Sequence, residues 1–170
     1  MTQDKFNEIL ASCLSHTIDT SNLILPLKES LEIAGQQIKK IAEGDRIIPK
    51  YVVQLFFAPA VAHGTLDITN NVRYLLTRKG HDYANEDTLS NFKNIATMTR
   101  QDPSIVILMF SASKVSRALN LITGNKKPNN ESLHDSLIDL ACYSVLLIAM
   151  EHEKEENHQK YKEKYGYEDF

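Results

Sequence analysis

The chain is expected to fold as an all-α protein, a single helical-bundle domain of six to seven helices. Three observations predict this. Apolar residues recur at intervals of three and four along most of the sequence. Glycines, prolines and Asn/Asp-rich stretches fall where such helices would begin or end. Nothing reads as a strand, because β-branched runs are short and embedded in helical periods. With 170 residues, the chain is long enough to bury a real core in one domain.

The elements follow in order. Phe6, Ile9, Leu10 and Cys13 form one face of a first helix, about Gln3 to His16. Asp19-Thr20-Ser21-Asn22 breaks it. A second helix, about Pro26 to Glu43, carries Leu27, Leu31, Ile38 and Ile41, and Gly44 is its natural stop. Pro49 suits the first turn of a strongly apolar third helix, Lys50 to His63, which Pro59 should kink or end early. The next helix runs from Leu66 to Lys79 with Gly80 as its cap, and a polar, turn-like segment follows to Asp87. A short helix covers Thr88 to about Thr97. Asp102-Pro103 pairs an N-cap acceptor with proline at the first helical position, opening an apolar helix from Ser104 to Thr123 that Gly124 ends. After a polar connector, Asn130 can cap a helix from Glu131 that becomes apolar almost all round between Val145 and Met150. The alternating charges of 151–170 read as a charged, solvent-exposed C-terminal helical tail that frays. The expected organisation is a helical arm or subdomain over 1–64, a helical core over 65–150, and that tail.

Charge narrows the function classes. A formal net charge of -3 gives no broad basic surface, so duplex nucleic acid is not expected as a partner. Two cysteines, Cys13 and Cys142, lie far apart in apolar contexts without a metal-ligand spacing, which suits buried free thiols in a reducing compartment. The first residues lack the basic-then-apolar order of a signal peptide, and no apolar run approaches the ~18 residues of a membrane span. The expected location is therefore a cytoplasm, bacterial or that of an infected host cell, with no membrane partner. No Ser/His/Asp or Cys/His constellation, glycine-rich phosphate loop or zinc spacing stands out.

Three clusters carry candidate chemistry. Glu131, Asp135 and Asp139 recur at every fourth residue and fall within roughly 80° on a helix surface. Hard divalent ions take carboxylate oxygens, so the row could hold Mg2+. A solvated face is the competing reading. The helix dipole favours acids in a first turn, which accounts for Glu131 and not for Asp139. The second cluster is the polar segment with Lys79, His81, Asp82, Tyr83 and Asn85, either a further ligand-binding loop or simply a cap and turn. Asn91 and Phe92 follow it, Phe92 reading as core. The third is Lys114 and Arg117, three residues apart on one helix, which either clamp a phosphate or snorkel from a core helix.

In this order, Lys79-Gly80-His81-Asp82-Tyr83-Ala84-Asn85, Ser90-Asn91-Phe92, Lys114-Val115-Ser116-Arg117 and the run from Asn130 to Tyr143 resemble the phage nucleotide modification associated domain family. The resemblance covers about Leu66 to Met150 and departs at Ala84, where the family more often has glycine. It implies a small helical domain working on nucleotides in phage DNA metabolism. A looser likeness runs to the all-α nucleoside triphosphate pyrophosphohydrolases of the MazG and dimeric dUTPase kind, whose acidic spacing this chain does not share. On this reading the protein is a Mg2+-dependent nucleotide phosphohydrolase. Glu131, Asp135 and Asp139 hold the metal, Asp82, Asp135, Lys114 and Arg117 act in catalysis, and Lys79, Tyr83, Asn85 and Asn91 contact the nucleotide. Two alternatives stand beside it. One is a non-catalytic protein that sequesters a nucleotide. The other is a helical oligomer whose apolar stretch Tyr51 to Phe57 meets another copy or a host protein. Homo-oligomerisation is expected under all three.

Overall fold

A run of apolar residues covering every side of a helix can be satisfied only at the centre of a bundle. Val145 to Met150 is such a run, and it occupies the middle of the helix on which four of the other elements pack. A computed structural model describes residues 1–16, 25–83, 87–124 and 132–166, with the side chains of 79–83 excepted. Among the described residues there are seven helices and no strand: α1 (Gln3–Ser15), α2 (Leu27–Ala42), α3 (Pro49–Ala62), α4 (Ile68–Tyr83), α5 (Ser90–Thr99), α6 (Pro103–Thr123) and α7 (Leu133–Tyr165). The protein is an all-α bundle, as expected.

The most extensive packing joins α6 to α7 and α3 to α7, and α2 fills the angle between α3 and α6. Helix α5 lies on α6, while α4 and α1 lie on α7. One core runs through all of them, including Phe6, Leu31, Phe56, Ile107, Leu140 and Leu147, each fully buried. At the α5–α6–α7 junction Phe92 meets Phe110 and Tyr143 edge-on, with centroids 6.0 and 6.4 Å away. Phe92 is thus core, as its sequence context suggested.

Local chemistry sets the ends. Gly44, at φ +105°, turns the chain after α2 in a conformation other residues rarely adopt. Asp102 accepts a hydrogen bond from the Ser104 N–H at 2.8 Å, and Pro103 opens α6 as its sequence predicts. Pro59 does not end its helix, because α3 continues to Ala62 with Pro59 buried inside it. Val52, Val53, Phe56 and Phe57 are fully buried, so most of the stretch considered for an interface belongs to the core, and Tyr51 is the exposed residue there. Gly80 is not a cap either, since α4 runs through it to Tyr83. Asn130 lies outside the described residues, and the N-cap of α7 is Ser132.

Two expectations change on longer scales. Helix α7 is continuous for 33 residues, about 50 Å, so the charged tail begins as its direct extension. That extension is tied down at its start. Glu153 and Asp87 both bind the Met1 α-amino group and the Lys93 ammonium, with Lys93–Asp87 at 2.7 Å and Met1–Asp87 at 3.1 Å. Lys154 reaches Asp102 at 2.5 Å, Ser104 Oγ at 2.7 Å and Glu151 at 2.8 Å. Burial would raise the Asp87 and Glu153 carboxyls, but Lys93 and the α-amino group hold both below the usual carboxylate range. Second, α6 and α7 each hold an 18-residue window of mean hydropathy 1.5, long and apolar enough by length and composition to cross a membrane. Interspersed polar residues hide these windows when only unbroken apolar runs are counted. The α7 window is 67% buried in the bundle and the α6 window 33%.

Candidate functional site

The first turn of α7 uses one acid twice. Ser132 Oγ accepts the Asp135 N–H at 3.1 Å, and Asp135 Oδ2 accepts the Ser132 N–H at 3.0 Å and its hydroxyl at 2.7 Å. This reciprocal capping satisfies backbone donors that an isolated helix end leaves open. The Ser132 hydroxyl is the main reason the Asp135 carboxyl lies below its usual range, with Lys114 adding to it. Asp135 is solvent-facing.

One turn further on, Asp139 is drawn inward. Lys114 of α6 crosses to it at 2.8 Å, and the two side chains are only 17% and 22% exposed. As the seventh residue of α7, beyond its first turn, Asp139 gains little from the dipole, and the cross-helix ammonium supplies its counter-charge instead. The two acids therefore have distinct structural roles, one capping α7 and the other joining it to α6.

Both acids also line one cleft of about 370 Å3 between α4 and α7. Helix α4 contributes Asn71, Tyr74 and Leu75, and α7 contributes His134, Asp135, Ile138 and Asp139. His134 Nδ1 lies 3.3 Å from Thr65 Oγ1, which ties the approach to α4 to the start of α7. Tyr74 is 56% exposed in the wall, with the Arg78 guanidinium over one face of its ring at 5.5 Å and donating to its hydroxyl. Asn71, Tyr74 and His134 were not singled out in sequence. The only available signal was that Asn71 and Tyr74 sit three apart, on one side of α4.

The remaining candidates distribute unevenly. Arg117 lines a separate depression of about 410 Å3 with Ser113, Ser116, Asn120 and Leu121, so it does not share the lining of the Asp135–Asp139 cleft. Asn91 is exposed on α5 and does not line the cleft. Lys79, Asp82 and Tyr83 fall in the last turns of α4, where only the backbone is described, and Asn85 and Glu131 lie outside the described residues. Among the described residues, no group of three or more His, Cys, Asp or Glu is placed to hold a metal ion. A larger groove of about 950 Å3 crosses the start of α6 and the middle of α7; of its acids Asp45, Asp102, Glu151 and Glu155, Lys154 holds Asp102 and Glu151. In comparisons with protein-family models, curated proteins and solved structures, nothing matches this chain.

Proposed function

We propose that the α4–α7 cleft binds a nucleotide through a Mg2+ ion held by Asp135 and Asp139, and that the protein is a Mg2+-dependent nucleotide phosphohydrolase. The observation that carries this is the meeting of Asp135, Asp139 and Tyr74 in one cleft with Lys114 at its Asp139 edge. Charge supports the cation. The two carboxylates line the cleft, with Lys114 against Asp139 and the Arg78 guanidinium over Tyr74, so a cation held by the carboxylates would offset the repulsion they exert on a phosphate. The donor set suits Mg2+, which takes one or two protein carboxylates, keeps the rest of its shell as water and phosphate oxygen, and makes bound water more acidic. The sequence resemblance to the phage nucleotide modification associated domain family points to the same ligand class.

Each residue then has a task. Asp135 and Asp139 hold the ion one helical turn apart. Lys114 already sits against Asp139 and neutralises charge on the phosphate, while Tyr74 offers a face for the base. In the reaction, a water oxygen bonds to phosphorus, the bridging P–O bond breaks, and the leaving oxygen takes up a proton. Isothermal titration of MgCl2 and a deoxynucleoside triphosphate panel into wild type and Asp139→Asn tests binding, and 31P spectra of the incubated mixtures test turnover. Metal-dependent phosphate release by wild type and its loss in Asp139→Asn are expected. Absence of both metal and nucleotide binding in wild type refutes the proposal. A second reading, sequestration without hydrolysis, is favoured by the structural duties already carried by both acids. Nucleotide bound stoichiometrically and recovered intact would establish it.

A further inference from the structure

The groove across the start of α6 and the middle of α7 is more than twice the size of the α4–α7 cleft, about 950 Å3 against about 370 Å3. Ile41, Ile47, Ile105, Leu108 and Ile148 give it an extensive apolar lining. Among the described residues that line it, Ser104 alone carries a side-chain hydroxyl. That hydroxyl is bonded differently from those of three other buried serines. Ser30, Ser111 and Ser144 donate to carbonyls of their own helices, those of Leu27, Ile107 and Ala141. Ser104 Oγ donates across helices instead, to Glu151 Oε1 of α7 at 2.5 Å.

Lys154 Nζ in turn donates to Ser104 Oγ at 2.7 Å, and Asp102 and Glu151 fix that ammonium at 2.5 and 2.8 Å. Burial works against the Lys154 charge, but hydrogen bonds to Asp102 and Glu151 hold its pKa above the usual lysine range. Lys154 therefore stays protonated beside Oγ, and Glu151 is the group that can take the serine proton. Ser104 is also the second residue of the 21-residue α6, where the helix dipole presents its positive end. A carboxylate at the hydroxyl proton, an ammonium at the oxygen and a helix N-terminus behind it are the parts of an activated nucleophile. A hydroxyl oxygen has two lone pairs; Lys154 occupies one and the second is left for attack. Capping does not account for the arrangement, because Asp102 already caps α6 through the Ser104 N–H. Ser104 is 5% exposed, so a substrate reaches Oγ from within the groove, its apolar part against the isoleucines.

We propose that Ser104 is the nucleophile of a further catalytic site, separate from the α4–α7 cleft, that hydrolyses carboxylic esters with an apolar acyl group. Oγ bonds to the acyl carbon as its proton passes to Glu151. The carbon–oxygen bond to the alcohol breaks, and the leaving oxygen takes that proton from Glu151. Water then bonds to the acyl carbon and gives a proton to Glu151. The bond to Oγ breaks, Oγ regains the proton, and the carboxylic acid leaves. The Lys154 charge offsets the oxyanion in both halves. Incubating the full chain with a biotinylated fluorophosphonate and mapping the adduct by tandem mass spectrometry should place it on Ser104. Hydrolysis of p-nitrophenyl butyrate in EDTA should fall to background in Ser104→Ala and about 100-fold in Glu151→Gln. Circular dichroism and urea midpoints show that both variants are folded, and the adduct position is read in wild type alone. A wild type that takes no adduct overturns the proposal, as does an adduct on any residue other than Ser104. Equal ester hydrolysis by wild type and folded Ser104→Ala overturns it too.

Discussion

Removing the Lys114 ammonium tests what holds Asp139 in place. The pair is 2.8 Å apart and about one-fifth exposed on each side, so neither a fully wet nor a dry dielectric applies. At an effective constant of about 20 and a charge separation of about 4 Å, the attraction is about 4 kcal/mol, and desolvation of both groups offsets a large part of it. A double-mutant cycle of Lys114→Met and Asp139→Asn should therefore give a coupling energy of about 1–2 kcal/mol. Lys114→Met alone should cost about 2 kcal/mol, because it leaves a part-buried carboxylate without its ammonium. For a chain of this size that is about 4–8 °C in Tm. Urea unfolding followed by circular dichroism at several salt concentrations reads these values. Magnesium adds a second arm: if Asp135 and Asp139 hold a cation, MgCl2 should restore more stability to Lys114→Met than it adds to wild type, since the ion replaces the lost positive charge. A coupling energy indistinguishable from zero would refute the ion-pair reasoning. A Lys114→Met variant indifferent to Mg2+ would refute the metal at this cleft.

Other outcomes follow from the same geometry. Ser132→Ala removes the α7 cap and both of its contacts with Asp135, so it should cost about 1 kcal/mol in urea unfolding. Arg100 ends α5 at φ +54°, where a side chain is strained, so Arg100→Gly should raise stability by up to about 1 kcal/mol. Asp87, Asp102, Asp135 and Glu153 all have lowered carboxyls in the fold. Their contribution is complete above the ordinary values of 3.8 and 4.5 and is lost as pH falls through the folded ones, so the urea midpoint should hold down to about pH 5 and drop steeply below pH 4. Burial pushes the Cys13 thiol up to about 12, so it should resist a thiol reagent at pH 8 until the chain unfolds, when reaction becomes rapid.

The fold was largely legible because its evidence is local. Helical periodicity and the Asp102-Pro103 start are written within a turn or two of where they act, and all seven described helices start within two residues of the sequence reading. The misses share a cause: they depend on partners distant in sequence. Pro59 is tolerated inside α3 because that helix is packed into the core, a context the residue itself does not encode. Glu153 and Lys154 look like two charges in a solvated tail until α5 and α6 bring Lys93 and Asp102 to them. Ser132 prevailed over Asn130 as the visible cap because Asp135 sits three residues beyond it, a pairing present in the sequence and readable as a capping box. The candidate site was half legible. The dipole left Asp139 unexplained in the sequence, and the structure pairs it with Lys114, which the sequence offered as a phosphate clamp or a snorkelling cation. That Arg117 would line a different depression depends on how α6 is rotated against α7, which spacing along one helix cannot give.

The unbroken course of α7 limits how its surroundings move. Between Leu133 and Tyr165 there is no glycine and no proline, so the rod has no point of easy bending. Asp135 in the first turn and Glu153, about two-thirds of the way along, stand about 27 Å apart along a single stiff axis. An event in the cleft cannot be absorbed by flexing this axis. It must be taken up by the elements resting on it, and the lighter of the two cleft walls is α4, whose packing on α7 is much less extensive than that of α3 or α6. The cleft thus has one wall built into the centre of the bundle and one, α4, held to it by far less extensive packing.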